Sequence, residues 1–204
     1  MSISPSDKIK VTIEGHTALL VIDNPAANTW DLESLPALKQ IIQALNNDDD
    51  VYALVITGAG DKFFSAGADL RLFADGDPDA ARAMADAFGE AFETMADFRG
   101  VSIAAINGFA MGGGLEVALA CDIRIAETQA LLALPEAKVG LLPCAGGTQR
   151  LAQLVGEGWA KRVILCGEQL TADKAAQIGL IEETVPKGEA VQQALALAEQ
   201  VAGQ

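Results

Sequence analysis

The sequence predicts one α/β domain spanning residues 1–204. Two patterns carry that prediction. Short apolar or β-branched runs alternate along the chain with longer stretches of helical periodicity. In addition, three glycine-bearing loops, at 66–68, 112–114 and 145–147, each follow an apolar segment, and the last two feed directly into a helix. Half of the 204 residues are hydrophobic, enough for a sizeable core in one domain.

Taken in order, Lys10–Ile13 and Thr17–Ile22 flank Glu14-Gly15-His16 and read as a hairpin. Asn28 or Asp31 is placed to cap the next helix, whose apolar positions are Leu35, Leu38, Ile41, Ile42 and Leu45. Val51–Thr57 is a continuous apolar run and so a buried strand. Pro78–Phe98 reads as one long helix with Ala81, Met84, Phe88, Phe92 and Met95 on one face. Ile103–Ile106 is a further buried strand, followed by the loop Asn107–Met111, the glycines Gly112–Gly114 and a small-residue helix, Leu115–Ala120. Strands are expected at Ile123–Ala126, Ala130–Leu134 and Leu180–Val185. Helices are expected at Gln149–Val155, Trp159–Cys166, Thr171–Gln177 (capped by Thr171) and Gly188–Val201.

Lys and Arg number 14 against 28 Asp and Glu, a formal net charge of −14. That balance argues against a broad surface for nucleic acid or anionic membrane, while leaving room for a local basic feature. Cys121, Cys144 and Cys166 are widely spaced and odd in number, which argues against a disulfide framework or a zinc site; each reads as a buried small residue, as does Ser65. The sole histidine, His16, reads as a turn or surface residue, and Asp122 as a structural acid near Arg124. The first ten residues lack an apolar signal core and no apolar run is long enough to span a membrane, so a soluble, cytoplasmic setting is expected.

The loop at Gly112–Gly114 opens a helix, where backbone N–H groups lack intrahelical partners and the dipole favours negative charge. A dinucleotide fingerprint is one reading, with Glu136 at about the distance of a ribose-binding acid. Against it, Val117 stands at the third glycine position and Asn107–Met111 is too long for the tight first turn. Close packing of helix on sheet is the plainer reading of the glycines. Ala66-Gly67-Ala68 shifts the balance, because two backbone-exposing loops can aim two N–H groups at one oxygen. Glu116 stands in a small apolar helix, where an acid is costly unless it is used, and Glu136 lies in a second apolar stretch. Two glutamates beside such an oxyanion hole suit proton transfer next to a polarised carbonyl.

These residues resemble the crotonase (enoyl-CoA hydratase/isomerase) superfamily. Ala104–Asp122 is similar to its most diagnostic block, Phe64–Leu70 to its first oxyanion and CoA loop, and Pro135-Glu136 with Gly140–Leu151 to the block that follows. The resemblance runs from about Val11 to the end. It implies an α/β, crotonase-like spiral of repeated ββα units with the C-terminal helical part shortened, and assembly as a homotrimer or a dimer of trimers. It implies an acyl-CoA thioester substrate, with coenzyme A part of the substrate and no separate cofactor or metal. By position, Ala68 and Gly113 would donate the two oxyanion N–H groups. Ala66 and Leu70 would contact the coenzyme through the backbone, Gly67, Asp69 and Gly112 would belong to the same binding loops, and Arg71 would meet its phosphates.

The resemblance further implies hydration of 2-enoyl-CoA in fatty-acid or related acyl-CoA breakdown, with Glu116 as base and Glu136 as proton donor to the α-carbon. The alternatives are a Δ3-Δ2-enoyl-CoA isomerase working with one glutamate, and an acyl-CoA-binding protein without turnover. Cys144, where hydratases usually carry glycine, supports the second of these. Trp30, Leu72, Phe73, Phe88 and Phe92 are candidates for the acyl-pocket wall, with ordinary core packing the default for each.

Overall fold

The computed structural model describes residues 3–73 and 76–202. The chain opens with a hairpin, β1 (Ile9–Glu14) and β2 (Thr17–Ile22), joined by Gly15-His16 as the sequence predicts. Helix α1 (Ser34–Asn46) follows. Of its two candidate caps, Asp31 serves: its Oδ1 accepts the N–H groups of Glu33 (3.0 Å) and Ser34 (2.8 Å). Asn28 instead donates to the carbonyls of Ala59 and Phe63.

Three ββα units come next. They are β3 (Ala53–Gly58), β4 (Phe63–Ser65) and α2 (Pro78–Ala96); β5 (Val101–Ile106), β6 (Phe109–Met111) and α3 (Gly113–Ala120); then β7 (Ile123–Glu127), β8 (Leu131–Ala133) and α4 (Gly147–Leu165). Strand β9 (Leu170–Thr171), α5 (Ala172–Gln177), β10 (Glu183–Val185) and α6 (Ala190–Ala202) complete the described chain. The first strand of each unit joins a six-stranded sheet in the order β1-β2-β3-β5-β7-β10. The second joins a four-stranded sheet in the order β4-β6-β8-β9.

The continuous apolar runs are explained by burial on both sheet faces. On β3, Leu54 and Ile56 point into the main core with Ala104, Ile106 and Ala126. Their alternates, Ala53 and Val55, join Ile103, Ala105 and Ile125 under α6. That helix approaches through Ala190, Ala194 and Ala198, all fully buried, so small residues at four-residue spacing set a close helix–sheet packing.

Three expectations need correction. Strands β4 and β6 were not expected; at three residues each they are too short for a period-two signal, and β6 lies within what reads as the loop Asn107–Met111. The two helices expected at 149–155 and 159–166 are present, lying within Gly147–Leu165 on either side of a kink at Gly156 (φ 77°), where the backbone is not helical. The strand expected at Leu180–Val185 is only Glu183–Val185. Cys121 is buried as expected, but Cys144 and Cys166 are exposed.

The turn joining β5 to β6 is held by Asn107. Its Nδ2 donates to the carbonyls of Gly58 and Gly60 (both 2.9 Å), and its Oδ1 accepts the Gly58 N–H at 3.2 Å. Asp122 is structural, its Oδ2 accepting from both the N–H and the hydroxyl of Ser102 at 2.8 Å, while the buried Arg124 pairs with Glu182 at 2.6 Å. His16 is exposed, stacked on Tyr52 with ring centroids 4.4 Å apart. Among the described residues no helix is long and apolar enough to cross a membrane.

Candidate active site

Strands β4, β6 and β8 pair in parallel, Phe63 with Phe109, Ser65 with Ala110 and Met111 with Ala133. Their C-terminal ends therefore finish side by side, and the three glycine- or proline-bearing segments that follow converge. They enclose, with one face of α2, a cavity of about 530 Å³. The loops touch. A Cβ built on Gly67 (φ 87°) would stand 2.6 Å from the Met111 carbonyl oxygen and 3.1 Å from the Gly113 nitrogen, so only glycine lets the two loops close on each other.

Ala68 sits across an isolated bridge from Trp30. The Trp30 N–H donates to the Gly67 carbonyl at 2.8 Å and the Asp69 N–H to the Trp30 carbonyl at 3.2 Å, which turns the Ala68 N–H away from that pairing. Gly113 is the first residue of α3, so its N–H has no acceptor inside the helix. Neither N–H has a hydrogen-bond partner among the described residues, and both residues line the cavity.

Two carboxylates line the same cavity. Glu116, in the first turn of α3, is 2% exposed. Its Oε1 accepts the N–H groups of Ala145 (2.8 Å) and Gly147 (2.9 Å) at the start of α4. Burial pushes its carboxyl above the ordinary range, while those two donors and the nearby Arg150 pull the other way. Glu136 begins the short 3₁₀ turn Glu136–Val139 after β8. Its Oε2 is buried without a partner, and its Oε1 would lie 3.0 Å from a Cβ built on Gly112. Burial, reinforced by the Glu116 charge, raises its carboxyl to about 7. The two acids therefore differ in kind: one is anchored by backbone donors, while the other is unpaired and holds its proton to near neutrality.

Cys144 also lines the cavity. Although the residue is exposed as a whole, its surroundings and both carboxylates push the thiol up to about 11, which leaves it protonated at neutral pH.

Of the residues singled out from sequence, Ala66, Gly67, Ala68, Leu70, Gly112, Gly113, Glu116 and Glu136 all border this cavity. Asp69 and Arg71 do not line it. They pair with each other at 2.6 Å, with the Arg71 side chain 88% exposed. Phe88 reaches the cavity, whereas Trp30 and Phe92 are fully buried in the core against each other. The side chains of Leu72 and Phe73 lie outside the described residues. Sequence reasoning missed the backbone donors of Ala145 and Gly147, which leave no signature in side-chain identity. On the apolar face of α2, where Phe88 and Phe92 are both wall candidates from sequence, Ala81, Met84 and Phe88 line the cavity, with Met84 and Phe88 also joining the core, whereas Phe92 and Met95 belong to the core alone. Among the described residues no group of three or more His, Cys, Asp or Glu side chains is placed to hold a metal ion.

The sequence profile described as enoyl-CoA hydratase/isomerase matches residues 12–204. The chain belongs to the enoyl-CoA hydratase/isomerase family. It is 38% identical over 189 residues to the short-chain-enoyl-CoA hydratase of Clostridium acetobutylicum, covering 92% of this chain and 72% of that protein. It is 40% identical over 173 residues to the crotonyl-CoA hydratase of Syntrophomonas wolfei, covering 84% of this chain and 66% of that one. Among solved structures, Pseudomonas aeruginosa DspI superposes with a TM-score of 0.96 at 67% identity, covering 98% of this chain and 82% of that chain. An enoyl-CoA hydratase from Bacillus anthracis superposes with a TM-score of 0.94 at 36% identity, covering 97% and 78%. The α/β fold of ββα units is thus the crotonase fold.

Proposed function

We propose that this family member adds water across the 2,3-double bond of a 2-enoyl-CoA thioester to give the 3-hydroxyacyl-CoA. The observation that carries the proposal is the meeting, on one cavity, of two unpartnered backbone N–H groups with two carboxylates, one anchored by backbone donors and one with an unpartnered oxygen. The names of its relatives point to the same chemistry.

In this reading the thioester oxygen lies between the N–H groups of Ala68 and Gly113, and the start of α3 adds its dipole. Both glutamates hold the water. Glu116, fixed through Oε1, takes a proton from it as its oxygen bonds to C3. The π electrons move onto the thioester oxygen as an enolate, and Glu136, protonated up to about pH 7, delivers its proton to C2. Water is consumed, OH is gained at C3 and H at C2, and the proton taken by Glu116 returns to Glu136 through solvent. This chemistry calls for no metal or redox group. The coenzyme lies along Ala66, Gly67, Asp69, Leu70 and Gly112, with Arg71, exposed and placed beside this loop, meeting its phosphates. A single domain working as a homotrimer or a dimer of trimers in the cytoplasm, in acyl-CoA breakdown, completes the proposal.

The test is hydration of crotonyl-CoA by the wild-type protein and by Glu116→Gln and Glu136→Gln. Each variant is expected to lose about 10²–10⁴-fold in kcat, the usual worth of a general acid or base, with KM changed far less. Wild-type rates in both variants would refute the assigned roles. Interconversion of 3- and 2-enoyl-CoA without hydration would move the reading to a one-carboxylate isomerase, and binding of CoA esters without turnover to an inactive binder.

A further inference from the structure

We propose that Arg150 is a positioning residue for Glu116, acting through the peptide of Ala145. Its Nη1 donates to the Ala145 carbonyl at 3.0 Å, and the N–H of that same residue donates to Glu116 Oε1 at 2.8 Å. Its Nη2 reaches Glu93 of α2 at 3.3 Å. The guanidinium also lies against Gly146 (φ 91°), where a Cβ would stand 1.9 Å from Nη1. Arg150 therefore ties α2, the loop 144–147 and the first turn of α4 together around the one segment that anchors the Glu116 carboxylate.

The geometry accounts for why arginine occupies this site. The planar fork bonds a carbonyl with one nitrogen and an acid with another, which a lysine ammonium on a flexible stem reproduces poorly. The side chain is 18% exposed, so its charge acts through a partly desolvated medium. The charged and titratable groups around Glu116 are Glu136 on the turn after β8, Cys144 in the loop before α4, Lys138 at the cavity and Arg150 on α4, with Glu93 behind Arg150 on α2. Arg150 is the cation that favours the ionised form of Glu116, whereas Glu136 and Cys144 supply none.

The role of Glu116 as base enters only the kinetic arm of the test; the positioning itself is read independently. Protein labelled with ¹³C-glutamate is titrated by NMR, the Glu116 carboxyl signal being the one lost in Glu116→Gln. Arg150→Met is expected to raise the Glu116 midpoint by about one pH unit, the usual effect of removing an adjacent opposite charge. The acid limb of kcat should move upward with it by about one pH unit, so that kcat at a pH below the wild-type limb falls about tenfold while KM changes less than about threefold. If Arg150→Met does not fold, Arg150→Lys serves. It keeps the charge but loses the fork, so a smaller rise of the midpoint is expected, with a fall in kcat. A midpoint within about 0.2 pH unit of wild type in a folded Arg150→Met protein would overturn the proposal, as would an unchanged midpoint and kcat in Arg150→Lys where that variant stands in for it. A midpoint that moves while the kinetic limb stays fixed supports the positioning and counts instead against Glu116 as the base.

Discussion

Replacing Glu136 with glutamine removes a carboxyl whose proton affinity differs between the folded and unfolded chain, so its effect on stability depends on pH in a calculable way. In the folded protein burial, with the Glu116 charge adding, lifts the group from 4.5 to about 7. Below pH 4.5 it is protonated in both states and contributes no difference. Between 4.5 and about 7 the unfolded chain gives up the proton while the folded one keeps it, so wild-type stability falls through that window and levels off above it. At about 1.36 kcal/mol per tenfold change in proton affinity, the full span is about 3.4 kcal/mol. Glu136 borders an open cavity and is only half-buried, so screening cuts this to about 1–2 kcal/mol. Glutamine cannot ionise. Glu136→Gln should therefore gain about 1–2 kcal/mol over wild type at pH 8 relative to its standing at pH 4. Urea unfolding of both proteins from pH 4 to pH 8 measures the difference. A difference independent of pH, or one that grows toward acid, would refute the reasoning.

The same acid should set the alkaline limb of kcat/KM for hydration, which is expected to fall above about pH 7 as Glu136 loses the proton it must donate; an initial-rate pH profile checks this. Gly67→Ala places a Cβ 2.6 Å from the Met111 carbonyl oxygen at a φ of 87°, so a loss of about 1–3 kcal/mol in chemical unfolding is expected together with weakened CoA-ester binding. Asn107→Ala takes its side-chain partners from the buried N–H and carbonyl of Gly58, while the exposed Gly60 can turn to water, and should cost about 1–3 kcal/mol by the same measurement. Thr171→Ala removes the side chain that accepts the Lys174 N–H at the start of α5 and should cost about 1 kcal/mol without altering kcat.

Much of this fold was legible because burial on both sheet faces writes continuous apolar runs, as at Val51–Thr57 and Ile103–Ile106. Strands β4 and β6 were not legible because three residues show no period, yet they bring the loops of Gly67 and Gly112–Gly114 together. Glu116 declared itself by being an acid in an otherwise apolar helix, and Glu136 by the apolar stretch around it. The difference in how they are held did not follow from sequence. It comes from the backbone donors of Ala145 and Gly147 on one side and an orphaned, buried Oε2 on the other. Arg150 carries no signal in the sequence, because its place depends on the reach of its side chain to the Ala145 carbonyl. Cys144 was expected to be buried, but instead its loop turns it toward the cavity mouth.

A crystal structure with 3-hydroxybutyryl-CoA tests directly whether the thioester oxygen lodges between two backbone donors. That oxygen is expected within about 3.2 Å of both the Ala68 and Gly113 nitrogens, with the 3-hydroxyl between Glu116 and Glu136. An oxygen farther than about 4 Å from either nitrogen, or an acyl group bound away from the two glutamates, would contradict it.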